Sequence, residues 1–266
     1  MRWKKLCQRI ILDVMKLNEL DAFLKERLAI NDFPFDVSLN GVQVACSDKE
    51  IRKIGFAVDA SLATIKAAAE QECDMLFVHH GLFWGKPLAV SGPHYERIRT
   101  LIGSDTALYA CHLPLDAHPV YGNNAQMAMA LGMREYDMFG MYHGSMIGVK
   151  GNLPFEMSLE EVCGLLGFSE NTGLRTLPFG KEKVKSVGII SGGGGDDVWQ
   201  AVNNGLDLYI TGEISHQNFH EALEDHINVI AGGHYQSETY GVKAVLRMLM
   251  GELGIEGVFL PWPTAL

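Results

Sequence analysis

Gly55 and Asp74 stand nineteen residues apart, and so do Gly188 and Asp207, each pair framing the same succession of apolar and helix-forming runs. In the first passage residues 54–58 form a buried-strand run, and Ser61 is placed to cap a helix whose Leu62, Ile65 and Ala69 share a face. Residues 75–78 make a second strand that ends at His79. In the second passage residues 187–190 are a strand, Asp196 or Asp197 opens a helix carrying Val198, Ala201 and Val202, and residues 208–210 are the strand that follows. A strand–helix–strand unit used twice constrains the chain to an α/β fold, because parallel strands need a crossover and the crossover helix must bury its apolar face on the sheet. The shared spacing predicts two similar halves arising from an internal duplication.

Both passages lead towards a His-x-x-x-acid figure. His112-Leu113-Pro114-Leu115-Asp116 follows Tyr109-Ala110-Cys111, and His234-Tyr235-Gln236-Ser237-Glu238 follows Ala231-Gly232-Gly233. If the second segment starts a helix, His234 and Glu238 share a face, and the two glycines before it allow a tight backbone turn. His79 and His80 end an apolar strand. Adjacent strand side chains point to opposite faces, so this pair suits two ions side by side better than one. A carboxylate can bridge such ions, which share a water when they lie about 3.5–4 Å apart, and Asp116 and Glu238 are the candidate bridges. Any one of these residues alone is more simply a hydrogen-bonded histidine or an ion pair at a strand end. Three separated segments carrying the same donors point instead to a pair of divalent ions, with zinc, iron, manganese, nickel and cobalt all suited to histidine and carboxylate ligands.

A chain of 266 residues, 47% of them hydrophobic, can bury the core of one or two compact domains. Its formal net charge of −10, with no basic run beyond the first five positions, argues against nucleic acid as a partner. Five cysteines without a C-x-x-C spacing signal neither a disulfide framework nor a thiolate zinc site, so a reducing cytoplasm is the expected compartment. Residues 1–14 read as an N-terminal extension. Ile10, Ile11 and Leu12 behind Lys4 and Lys5 imitate a secretion signal, but Asp13 and Lys16 cut the apolar stretch short. No stretch reaches membrane-spanning length, and no membrane partner is expected.

The expected division is a first α/β domain from residues 15–125 plus 230–266 and a second from residues 126–229. Ser158-Leu159-Glu160-Glu161 is a capping box that opens a short helix stopping at Gly167 within the second. Ser191 followed by Gly192 to Gly195 lies between a strand and a helix. It lacks the Lys-Ser or Lys-Thr of a P-loop, so a tight turn is favoured over a phosphate-binding nest. His216 and His220 are better read as one solvated helix face than as a metal pair, and surface or capping roles suffice for His94, His118, His143 and His226. Trp84 either stacks on a base in a cleft or makes a core or oligomer contact.

Taken together, Asn40-Gly41-Val42-Gln43-Val44, the strand ending in His79-His80-Gly81, the His112 to Asp116 block with Gly122-Asn123-Asn124 behind it, and Gly232-Gly233-His234 through Glu238 resemble the Nif-three-like family. Its members are also described as dinuclear metal-centre hexameric proteins and as GTP cyclohydrolase I type 2 homologues. The resemblance runs in order from about Met15 to the C-terminus. It implies two similar, intertwined α/β domains with the metal site in the cleft between them, and a toroidal homohexamer built as a trimer of dimers. It implies two divalent metal ions per subunit, held by His79, His80, Asp116, His234 and Glu238, with His112 supporting from beside them. It also implies hydrolytic opening of the guanine ring of GTP with loss of formate, by metal-activated water and without a protein nucleophile; the Gly192 to Gly195 turn or a neighbouring subunit would hold the triphosphate. A non-catalytic hexameric protein that binds, delivers or senses a metal, and a two-metal phosphoesterase, are the alternatives left open. The long central insertion of some members is missing here, so nothing tied to it carries over.

Overall fold

The computed structural model describes residues 15–266; the extension expected at residues 1–14 lies outside them. In chain order the first elements are β1 (Met15–Lys16), α1 (Leu17–Arg27), β2 (Gly41–Val44), β3 (Glu50–Ile51), β4 (Lys53–Asp59), α2 (Leu62–Glu70), β5 (Met75–His80), α3 (Gly92–Gly103), β6 (Ala107–Ala110), α4 (Leu113–Ala117) and α5 (Asn123–Ala130). They are followed by β7 (Tyr136–Tyr142), β8 (Ser145–Met157), α6 (Leu159–Leu165), β9 (Arg175–Pro178), β10 (Val184–Ile190), α7 (Val198–Asn203), β11 (Leu208–Thr211), α8 (His216–Glu224), β12 (Asn228–Ala231), α9 (His234–Leu253) and β13 (Glu256–Phe259). The caps expected from sequence form: the hydroxyl of Ser61 accepts the N–H of Thr64, and that of Ser158 accepts the N–H of Glu161. The chain is thus α/β.

Two large sheets carry the fold, one ordered β13-β4-β5-β6-β2 and the other β7-β8-β10-β11-β12-β9. Four neighbouring strands of the first, β13-β4-β5-β6, and three of the second, β10-β11-β12, run parallel, and in each an antiparallel strand closes one edge, β2 against β6 and β9 against β12. The central strands are buried on both faces, which is why they read as continuous apolar runs. Leu20 and Leu24 of α1 and Val242, Val245 and Leu249 of α9 pack on one face of the first sheet. Ile65 and Ala68 of α2 with Leu101 of α3 cover the other face. The second sheet is covered by α5 and α6 on one side and by α7 and α8 on the other. No helix among the described residues is long and apolar enough to cross a membrane.

The nineteen-residue spacing has a physical cause. Asp74 opens β5 and its Oδ2 accepts the backbone N–H groups of Arg52 and Lys53, at 2.8 and 3.0 Å, pinning the start of the neighbouring β4. Asp207 does the same before β11, accepting from Lys185 and Ser186 of β10 at 3.0 Å each. Matching pairs follow: Ile54 lies opposite Met75, and Val187 opposite Leu208. The next strand in each sheet brings a difference from the expected alignment. Val78 faces Ala110 and Thr211 faces Ala231, so His112 occupies the place of Gly233 rather than that of His234. His112 and Gly233 are indeed the N-caps of α4 and α9. The two His-x-x-x-acid figures are one residue out of step, and the halves contribute different side chains to what they build.

Candidate metal centre

Parallel strands end where their backbone groups are released from the ladder, and the crevice outside those carboxyl ends is where α/β proteins collect functional side chains. Here His79 and His80 end β5, His112 follows β6, Ser191 and Gly192 follow β10, and His234 and Glu238 begin α9 just after β12. His79, His80 and His112 form one group of potential metal donors, His80, His234 and Glu238 a second, and His79, Asp116 and Glu238 a third; within each, the ligand atoms lie within 4.8 Å of one another. The structure therefore brings together all six residues singled out from the motifs, His112 among the donors. It leaves His216 and His220 elsewhere, exposed on α8.

Three imidazoles are oriented by acceptors behind them. The Nδ1–H of His79 donates to the carbonyl of Cys111, that of His80 to Asp59 Oδ1 and that of His112 to Asp36 Oδ1, each at 2.9 Å. Each ring keeps Nε2 as its free nitrogen, the arrangement by which proteins fix the tautomer of a metal-ligating histidine. Asp36 is held in turn, accepting the N–H groups of Ser38 and Leu113 and the side-chain amide of Asn40, whose own oxygen accepts the His112 N–H. This gives Asn40 a role that its motif alone did not disclose.

The carboxylates divide the work unequally. Glu238 Oε1 lies 3.4 Å from His79 Nε2 and 3.1 Å from His234 Nε2, while its Oε2 lies 3.3 Å from His80 Nε2. Its two oxygens thus face different imidazoles, as a bridge requires. Asp116 Oδ1 is already committed, accepting from Asn123 Nδ2 at 2.8 Å and Ser191 Oγ at 2.7 Å, which leaves Oδ2 to face His79 Nε2 at 3.5 Å. The fit to a cation rests on unpaired atoms: His79 Nε2 and Glu238 Oε2 are both buried, and among the described residues neither has a hydrogen-bond partner. Such groups cost about 1–3 kcal/mol each unless something else satisfies them.

Protons compete for this place. Burial works against a charged His79, but Asp116 and Glu238 outweigh it and push its pKa up to about 10. His234 rises to about 9: burial again opposes the charge, and Glu238 and Glu213 overcome it. Glu238 itself falls well below the usual carboxylate range, the surrounding histidines outweighing its burial. Asp59, Asp36 and Glu213, whose Oε1 is 3.4 Å from His234 Nδ1, were not marked by any motif. Glu213 carried one usable signal, because it follows β11 as His80 ends β5 in the matched register.

Gly192, at φ +63°, explains the glycine-rich turn. A Cβ there would collide with Glu238 Oε1 and stand 3.2 Å from His234 Nε2, so the position must be bare for the carboxylate to reach the cluster. The turn's first two N–H groups are spent inside the protein, Ser191 donating to Asn124 Oδ1 and Gly192 to Ser237 Oγ. Above the donors opens a cavity of about 360 Å³, walled in part by Trp84, Tyr142, Ile147 and Ile190. Trp84 is anchored by its Nε1–H to the carbonyl of Gly81 and stands edge-on to His112 with ring centroids 5.0 Å apart.

Two α/β sheets with a buried cluster of histidines and carboxylates beyond their strand ends define a candidate divalent-metal protein. Over residues 15–262 the chain matches the family described as Duf34/NIF3 (NGG1p interacting factor 3), and it belongs to that family. It is 46% identical over 251 residues to a Deinococcus radiodurans protein named GTP cyclohydrolase 1 type 2 homolog, covering 94% of each chain. An Archaeoglobus fulgidus protein of the same name is 42% identical over 252 residues, covering 95% of this chain and all of the relative. Among solved structures, TTHA1606 from Thermus thermophilus superposes with a TM-score of 0.83 at 42% identity, over 95% of this chain and 100% of that one.

Proposed function

We propose that the chain binds a pair of divalent cations and works as a hydrolase of the GTP cyclohydrolase 1 type 2 kind, opening the guanine ring with release of formate. The observation that carries this reading is Glu238, whose two oxygens face different imidazoles while Oε2 and the Nε2 of His79 have no hydrogen bond among the described residues. Ions bound there would lower the pKa of a water towards neutrality and polarise the bond to be cleaved. The chain's own residues supply the rest. Asp59 and Asp36 hold His80 and His112 in the tautomer that leaves Nε2 available, and Asn123 and Ser191 fix Asp116. Trp84, Tyr142 and the two isoleucines give the cavity above the site aromatic and apolar walls. Cys111 is no competing nucleophile, since burial pushes its thiol pKa well up. The cavity favours catalysis over storage, because a storage site would be closed by its ligands.

The assembly proposed with it is a homohexamer, a trimer of dimers. Met138, Met141 and Met146, exposed along the β7–β8 hairpin, are apolar surface of the kind such contacts cover. A reducing cytoplasm is the proposed setting, supported by the unpaired thiols of Cys46, Cys73, Cys111 and Cys163. The test is to load the purified chain with metal, incubate it with GTP and follow formate. Formate release that stops on chelation is expected; release of phosphate without formate contradicts the cyclohydrolase reading.

A further inference from the structure

Among the described residues, no lysine or arginine lines the cavity above the donor cluster, and its one charged side chain apart from the donor residues is Asp197. Asp197 is held firmly. Its Oδ1 accepts from Gln200 Nε2 at 2.7 Å, and Gln200 is itself tied to the backbone of Met141, beside Tyr142, accepting from its N–H at 2.7 Å and donating to its carbonyl at 3.2 Å. Among the described residues no donor reaches Asp197 Oδ2. Burial raises the Asp197 pKa and the neighbouring Asp196 adds to the rise, against the Gln200 hydrogen bond, as befits a carboxyl short of partners.

These features disfavour a phosphate chain at the Asp197 end of the cavity. Phosphates placed beside Asp197 itself would meet like charge, because the positive charge of the cavity belongs to the donor cluster, to the protonated His234 or to ions held there, and the N–H groups of Ser191 and Gly192 are already donated. The walls offer the opposite chemistry, with Trp84 and Tyr142 presenting aromatic surface and Asp197 a vacant acceptor.

We infer that this cavity takes a planar nitrogen heterocycle, as a free base or as part of a nucleoside or nucleotide, with N–H donors turned to Asp197 Oδ2 and its ring set against Trp84 and Tyr142. The inference rests on the metal-hydrolase reading and names the substrate class of that same site. Asp197 is then the residue that selects for donor-bearing rings. A carboxylate accepting N–H groups also discriminates sharply against analogues that lack them, because it would be left unpaired.

The test uses the metal-loaded full chain, titrated calorimetrically with guanosine and GTP and with inosine and inosine triphosphate, which lack the exocyclic amine. Metal content is measured on the same samples. Guanosine is expected to bind more tightly than inosine, and GTP more tightly than inosine triphosphate. Asp197→Asn, which keeps the shape and the acceptor for Gln200, is expected to weaken guanosine binding about tenfold or more at unchanged metal content. Trp84→Leu should weaken guanosine and inosine alike. Inosine binding as tightly as guanosine, guanosine binding unaltered in Asp197→Asn, or no guanosine binding by a metal-loaded chain would each overturn the inference. Failure of the unmodified chain to take up metal would instead overturn the metal-centre reading on which it rests.

Discussion

Single atoms decide the chemistry of this site. Asp59 and Asp36 touch no other member of the donor groups than the Nδ1–H of His80 and of His112, yet they determine which nitrogen each ring offers. Asp59→Asn is expected to lower metal affinity about 10–100-fold while leaving the fold intact, read by competition against a chelator of known affinity. The raised pKa values of His79 and His234 set the pH behaviour of the metal-free chain. Their folded values, about 10 and about 9, exceed the usual 6.5, so the stability gained from their protonated forms is full below about pH 6.5. It is lost as pH rises through 9 and then 10. Thermal melts of the metal-free chain should therefore fall across that window, while metal affinity rises over the same range because cation binding must displace the protons. At Gly192 the added methyl of Gly192→Ala strikes Glu238 Oε1 and strains a positive φ, so loss of metal and a destabilisation of about 1–3 kcal/mol are expected from elemental analysis and denaturant titration.

At the scale of elements, the sequence disclosed a good deal. The strand–helix–strand runs, the Ser61 and Ser158 caps and the helix that puts His234 and Glu238 on one face all rest on short-range periodicity, and all are found. The two His-x-x-x-acid figures look alike, but strand pairing gives His112 the place in its sheet that Gly233, not His234, holds in the other. Asp36 and Asp59 were invisible for a related reason: Asp36 lies 76 residues from His112 and Asp59 lies 21 from His80, and only the sheet brings each pair together. The residues that pin the sheets can be tested directly. Asp207 is largely buried, which alone would raise its pKa, but Lys181 and the N–H groups of Ser186 and Lys185 draw it down from 3.8 to about 2. Its contribution is present above about pH 3.8 and lost as pH falls through 2. Asp207→Asn should thus cost about 1–2 kcal/mol near neutrality, with the gap to the unmodified chain closing in acid.

Across the whole molecule, the two sheets meet at a point neither could build alone. The first contributes His79, His80, His112 and Asp116 from its strand ends and the helix that follows; the second contributes the Ser191–Gly192 turn and delivers the chain to His234 and Glu238 as β12 passes into α9. Helix α9 then packs back on the first sheet through Val242, Val245 and Leu249, and the N–H of its Gly241 donates to Asn123 Oδ1 at 2.7 Å, so the same amide that fixes Asp116 also fixes the helix bearing Glu238. Fold and donor cluster are therefore coupled, and a metal bound there should raise the melting temperature of the entire chain rather than of one part. The most direct measurement is elemental analysis of the purified chain beside Glu238→Gln. A pair of divalent ions per chain is predicted for the unmodified protein, with most of that metal lost from the variant although it stays folded; a variant that keeps the full complement would contradict the assignment of Glu238 as the bridge at the heart of the site.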